Sequence, residues 1–463
     1  MRRYFDVIDQ TFYFPTPEFN INEEGELNFH DIPLMDIIRE YGTPLKLSYL
    51  PKITSNIRKA NQLFNEAIAK TNYRGNYRYC YCTKASHFQF VMEKALQENV
   101  HLETSSAYDM MILRKLHREG LITRNTYIIC NGYKRELYLQ YITEFLNEGF
   151  VNCIPVVDNL DELNYYEDHV NQRYQFGIRM AANEEPRFEL YTSRLGIRYE
   201  DVLNFYRYRV KGKAKAQLKL LHFFINSGIR DTSYYWNELS KFVYKYAELK
   251  KLAPELDTMD IGGGFPVKDS LHHTYDYQYM AHTIVESILE ICRENAVHEP
   301  DIITEFGIYT VGESGATIYS VLGQKKQNDV ELWYMIDGSF ITQLPDVWGT
   351  KEKYIMLAIN NWYNRYRRVN LGGLTCDSMD YYNSDTRSFE VFMPELHPDQ
   401  QQYIGFFHTG AYQESLGGYG GIQHCLIPAP KHVLINCDAD GHVRTELFAP
   451  EQSSEQMLKI LGY

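Results

Sequence analysis

No apolar run in this 463-residue chain approaches the ~20 residues a membrane-spanning helix needs. No stretch is dense enough in lysine and arginine to track a phosphate backbone. The balance is acidic, 47 basic against 60 acidic residues for a formal net charge of -13, so nucleic acid is not an expected partner. Cysteine is sparse: eight residues, scattered, with no Cys-x-x-Cys pair, which excludes a zinc ribbon or a disulfide framework and leaves no expected metal. The opening Met1-Arg2-Arg3-Tyr4-Phe5-Asp6 lacks the apolar segment of a secretory leader, so a cytoplasmic location is expected. Internal repeats and low-complexity tracts are also missing.

What the chain does have is material for a core, with 44% hydrophobic residues and 39 tyrosines, whose rings bury while their hydroxyls still hydrogen-bond. Its length exceeds one ordinary core and predicts two domains. Residues 31–41 read as a helix closed by Gly42 and Pro44. From residue 45 to about 315, short apolar strands alternate with helical stretches. Strands are expected at Leu45–Tyr49, Tyr77–Cys82 and residues 127–130, 154–157, 176–179, 218–224, 258–261 and 302–305, with helices near 53–71 and 88–98. This is the pattern of an α/β, (β/α)8 barrel, whose functional residues sit at strand C-terminal ends. Residues 316–463 lose the alternation and read as a β domain, which residues 1–44 are expected to join.

Several segments carry groups suited to chemistry. Lys84 follows the apparent strand Tyr79-Cys80-Tyr81-Cys82; partial desolvation at a barrel mouth would lower its pKa and let the amine bond to an aldehyde. Gly262, Gly263 and Gly264, after Asp260-Ile261, let backbone N–H groups approach an anion such as a phosphate. Glu305 ends Ile302-Ile303-Thr304 and can keep a pyridine nitrogen protonated. Cys376 and Asp377, in a turn-rich stretch, offer a proton donor and a cation binder. Singly, each has an ordinary explanation: lysines after strands are mostly solvated, and glycines make turns. Their order along one chain is the specific signal.

In that order these segments resemble the fold-type III decarboxylases that act on ornithine, arginine, lysine or diaminopimelate, from Thr43-Pro44-Leu45 to beyond Tyr412. The resemblance implies an alanine-racemase-like barrel with a C-terminal β domain, a homodimer with shared active sites, and pyridoxal 5'-phosphate as cofactor. It implies that Lys84 carries the cofactor, that Ser227, Gly262, Gly263, Gly264 and Tyr412 hold its phosphate, and that Glu305 faces its ring nitrogen. Glu103, Ser106 and Asp109 match a supporting acidic motif, and Cys376 and Asp377 would come from the partner subunit. Leu344-Pro345-Asp346-Val347-Trp348, Gly410-Ala411-Tyr412-Gln413-Glu414, Phe12-Tyr13-Phe14 and Asn20-Ile21-Asn22 are similar to the biosynthetic arginine decarboxylases, of which this would be a compact form.

Two positions depart from the family pattern. Phe224 stands where a histidine usually stacks on the cofactor ring, with His222 two residues earlier on the same strand face. Ile308 stands where an arginine usually follows, and Arg194 is the nearest candidate to compensate. The expected reaction is decarboxylation of L-arginine to agmatine and carbon dioxide, a step of polyamine biosynthesis. Asp377 and Asp346 would bind the cationic end, and Cys376 would return a proton to the α-carbon. Ornithine, lysine, diaminopimelate and citrulline remain alternative substrates, and Phe224 and Ile308 motivate a non-catalytic regulatory homologue.

Overall fold

The computed structural model describes residues 14–183, 193–329, 331–350, 352–382, 391–414, 424–438 and 440–463. Phe12 and Tyr13, part of one similarity noted above, lie outside them. Two units separate: residues 53–266 with 275–310, and residues 1–52 with 267–274 and 311–463.

The first unit is a closed barrel of eight parallel strands: β1 Tyr77–Cys82, β2 His101–Thr104, β3 Ile128–Cys130, β4 Cys153–Val157, β5 Tyr174–Arg179, β6 Ala216–His222, β7 Thr258–Asp260 and β8 Asp301–Phe306. They pair in chain order, and β8 returns to β1 with Glu305 opposite Cys80. β4, Cys-Ile-Pro-Val-Val, is fully buried and apolar throughout, as suits a strand covered on both faces. Cys80, Ile129, Ile154, Val156, Leu220 and Ile303, from five different strands, fill the interior.

The second unit is built on a nine-stranded mixed sheet in which Gly315–Lys326 pairs with three neighbouring strands and with Leu45–Tyr49 among them. A small antiparallel sheet, Phe19–Ile21, Leu27–Phe29 and Ile32–Pro33, shares its core, where Phe19 meets Phe407 edge-on at 4.8 Å. Among the described residues no helix is long and apolar enough to cross a membrane.

One strand lies in a different unit from the one its position in the sequence predicts. Leu45–Tyr49, expected to open the barrel, hydrogen-bonds antiparallel to Gly315–Lys326 and parallel to Lys431–Cys437. The barrel's remaining strand is His101–Thr104, which pairs with β1 and β3.

Candidate active site at the barrel rim

Polar side chains collect at the C-terminal ends of the barrel strands, where side chains point past the packed interior. Lys84 sits in the 3₁₀ turn Thr83–Ala85 just after β1, and its Nζ lies 3.4 Å from Glu103 Oε2 on β2. The turn is seated on Gly307, where a Cβ would come within 2.9 Å of Ala85 Cβ. Asn131, following β3, donates to two acids of the rim: 3.1 Å to Glu103 Oε1 and 2.6 Å to Glu305 Oε1. His222, the last residue of β6, places Nε2 3.3 Å from Glu305 Oε2. Asp260, the last residue of β7, completes the group: single ligand atoms of His222, Asp260 and Glu305 all fall within 4.8 Å of one another.

These groups settle each other's charge. Burial alone would raise Glu305, but the hydrogen bond with His222 and the charge of Lys84 hold the carboxyl below its ordinary value. Burial pushes His222 down, so at neutral pH it is an uncharged imidazole that can still donate from Nε2. Burial and the Glu305 charge push Asp260 well above the usual carboxylate range. In the neighbouring pair Asp260 and Glu305, one carboxyl is therefore protonated and the other ionised. Glu103 is also raised by burial, with Lys84 opposing.

The loops after β6 and β7 interlock through glycines. Gly228 has φ +73 and Gly264 has φ +113, and a Cβ on Gly264 would lie 2.5 Å from Gly228 Cα. The Ile229 N–H donates to the Gly264 carbonyl at 2.9 Å. A Cβ on Gly263 would meet the Glu305 carbonyl oxygen at 2.0 Å, so this turn lies directly against β8. Phe224 is half-buried beside it, its Cδ2 3.2 Å from where a Gly262 Cβ would be.

Buried polar atoms around this rim lack a protein partner: Ser227 Oγ, His222 Nδ1, Asn131 Oδ1 and Arg179 Nε. Each such atom costs roughly 1–3 kcal/mol unless something polar satisfies it. A glycine-walled cradle beside Ser227, an ionised Glu305 and an amine at the mouth fit an aromatic aldehyde that carries a phosphate. The residues present thus fit pyridoxal phosphate.

The barrel unit contains Lys84, Glu103, Phe224, Ser227, Gly262, Gly263, Gly264 and Glu305 of the expected set, and the exposed Arg194 lies close enough to Arg179 to repel its charge. Asp109 has a local duty: it accepts from the Ser105 and Ser106 N–H groups and from His87 at 2.9 Å, closing a capping box with Ser106 on the helix Ala107–Arg118. Asn131 and Arg179 were not singled out from the sequence. Both stand at or just past the end of a barrel strand, and a polar residue in that position was the available signal.

The other unit holds Cys376, Asp377, Asp346 and Tyr412. The loop bearing Cys376 is pinned by buried Asp380, which accepts from the Phe340 N–H at 2.8 Å and the Thr375 hydroxyl at 2.7 Å. Cys376 is exposed, with its Sγ 3.5 Å from Cys425 Sγ, a contact that raises its thiol pKa and favours the protonated form. Asp377 Oδ2 faces His424 Nε2 at 3.3 Å. Asp346 is buried and accepts from Gln413 at 2.8 Å; burial raises its carboxyl. Tyr412 has φ 66, a left-handed conformation that non-glycine residues adopt only where neighbours enforce it.

Residues 54–312 match the family model described as pyridoxal-dependent decarboxylase, pyridoxal binding domain. The biosynthetic arginine decarboxylase of Prochlorococcus marinus (strain MIT 9215) is 22% identical over 96% of this chain and 86% of its own length. That of Geobacter sp. (strain M21) is 26% identical over 67% of this chain and 53% of its own. Among solved structures, the biosynthetic arginine decarboxylase from Campylobacter jejuni superposes with a TM-score of 0.80 at 19% identity, covering 98% of this chain and 90% of that one. Diaminopimelate decarboxylase from M. jannaschii, in complex with L-lysine, gives 0.78 at 17% identity, covering 95% and 96%. At these identities the superpositions establish the fold.

Proposed function

Since the chain belongs to the pyridoxal-dependent decarboxylase family and takes pyridoxal 5'-phosphate as its cofactor, we propose that it decarboxylates L-arginine to agmatine and carbon dioxide. The observation that carries the decarboxylase part is the meeting of Lys84, ionised Glu305 and the glycine cradle at one barrel rim. Bound pyridoxal phosphate supplies an electron sink for the pair left on the α-carbon when carbon dioxide departs. Lys84 would hold the cofactor by its amine, Ser227 and the glycine N–H groups would bind phosphate, and Glu305 would keep a proton on the ring nitrogen. Phe224 would lie against the ring face, where an aromatic stacks without adding charge. Tyr412 would reach the phosphate. In a homodimer, Cys376 of the partner subunit would return a proton to the α-carbon.

The arginine part rests on two supports. Asp377 and Asp346 are suited to a guanidinium, which offers planar paired donors that an ammonium cannot match. The named relatives that align with most of this chain are biosynthetic arginine decarboxylases. Diaminopimelate, with a carboxylate at its far end, would call for a basic group in place of the aspartates.

The test is carbon dioxide release by the purified protein with pyridoxal phosphate, offered arginine, ornithine, lysine, diaminopimelate and citrulline. Arginine should give the highest kcat/KM, by about tenfold or more over ornithine and lysine. A larger value for another substrate reassigns the specificity. Release from none of them supports the regulatory homologue that Phe224 and Ile308 favour.

A further inference from the structure

Five of the cysteines are buried, Cys437 is partly exposed, and Cys376 and Cys425 are both open to solvent. Those two face each other at 3.5 Å between sulfurs. Their chain neighbours are matched as well: His424 Nε2 lies 3.3 Å from Asp377 Oδ2, so two consecutive residues of one loop meet two consecutive residues of another. The Cys376 side is held in place. Asp380 pins the Cys376 loop, and Asp377 Oδ1 accepts from the Met379 N–H at 2.8 Å. Across from it, Cys425 and Leu426 both have φ 52, a backbone that presents the thiol at some conformational cost. A disulfide needs about 2.05 Å between sulfurs, so these two must close by roughly 1.5 Å to bond.

We propose that Cys376 and Cys425 form a reversible dithiol, a modification site for low-molecular-weight disulfides. One thiolate attacks the reagent disulfide and expels its first thiol, leaving a mixed disulfide. The second thiolate attacks the protein sulfur of that bond and expels the other thiol. The protein loses two protons and two electrons, and the reagent disulfide becomes two thiols. Cys130 and Cys153 are a built-in comparison: their sulfurs are 3.9 Å apart, but both are completely buried, so reagent reaches them only if the barrel opens. The consequence for turnover rests on the reading of Cys376 as the proton donor, because a disulfide sulfur carries no proton to deliver.

The holoenzyme is treated with oxidised glutathione, alkylated, digested and mapped by mass spectrometry, with activity read before and after dithiothreitol. A peptide pair joining Cys376 to Cys425 is expected, lighter by two hydrogens and reversed by reductant. Activity should fall about tenfold or more as the linked fraction approaches completion, then recover. Cys425→Ser should keep the activity of the reduced enzyme and accumulate glutathione on Cys376, which the wild type resolves. Identical glutathione adducts in wild type and Cys425→Ser, with no linked pair, overturn the dithiol. A linked pair with unchanged turnover upholds the dithiol and overturns Cys376 as proton donor, a reading that Cys376→Ala tests separately under reducing conditions.

Discussion

Glu305 has both carboxylate oxygens engaged, one by Asn131 and one by His222, from separate barrel strands or their ends. A group held from two sides has little rotational freedom to lose when it meets a ligand, which is the physical meaning of preorganisation. Glu305→Gln keeps the shape and removes the charge, so kcat should drop by ~10²–10³ while pyridoxal phosphate still binds. A wild-type kcat would show that the charge at this position is not used. Lys84→Ala should abolish the visible absorption band that pyridoxal phosphate gives with the wild type; an unchanged spectrum would remove Lys84 from the site. At this scale the motif-borne residues were legible from sequence, whereas Asn131 and Arg179 were not. Asn131 bonds to acids on other strands and Arg179 feels charges carried by other strands and loops, and sequence spacing carries no trace of either.

At the scale of elements, the interlocked glycines make a sharp prediction. Gly264→Ala must place a methyl group 2.5 Å from Gly228 Cα at a φ of +113, with backbone on the other side of the contact. A loss of ~2–4 kcal/mol and weakened pyridoxal phosphate binding are expected. Gly323, with nothing within 4 Å of its would-be Cβ, is the control, and Gly323→Ala should stay within ~0.5 kcal/mol. Denaturant melts with a cofactor titration compare the two; equal effects would mean the loops tolerate separation. The mistaken strand has its own physical reason. Leu45-Lys46-Leu47-Ser48-Tyr49 falls at the spacing of the barrel strands, but its alternation is that of a strand with one polar face. His101-Leu102-Glu103-Thr104 is short and half polar, yet Glu103 and Thr104 are fully buried. The chemistry those residues carry hid the element that carries them.

At the scale of the whole molecule, acid sensitivity can be read from one buried charge cluster. Glu18 Oε2 meets Lys268 at 2.9 Å, Glu18 Oε1 meets Lys52 at 3.2 Å, and Lys52 also reaches Glu313 at 2.9 Å. Burial raises Glu18, but His408 when protonated, and Lys52 and Lys268 throughout, hold it at about 2 against an ordinary 4.5. His408 is itself pushed down by burial, so near neutrality the lysines do the holding. A depressed carboxyl stabilises the fold fully above its unfolded value, and that stabilisation drains away as pH falls from 4.5 toward 2. The shift corresponds to about 3 kcal/mol. His30 adds an earlier loss: burial holds it near 4, so the unfolded chain takes up its proton first as pH drops below 6.5. Glu18→Gln should lose about 3 kcal/mol at pH 7 and flatten the acid limb of a urea-unfolding series below pH 4.5. A limb as steep as the wild type's would place the acid trigger elsewhere. The two-part architecture was visible in the change of pattern near residue 315, because strand–helix alternation is a long-range periodic signal. The chain's brief return to the sheet unit at residues 267–274 carries no such period.

The strand Leu45–Tyr49 also sets an order of events during synthesis. Both of its neighbours, Gly315–Lys326 and Lys431–Cys437, leave the ribosome only after every barrel strand has been made. Ser48 waits for His432, 384 residues downstream, before its 2.9 Å hydrogen bond can form. The barrel can therefore close while the sheet still lacks its partners, leaving an early strand with unsatisfied edges for most of translation. Nascent chains halted before Lys431 should bind holdase chaperones through this segment.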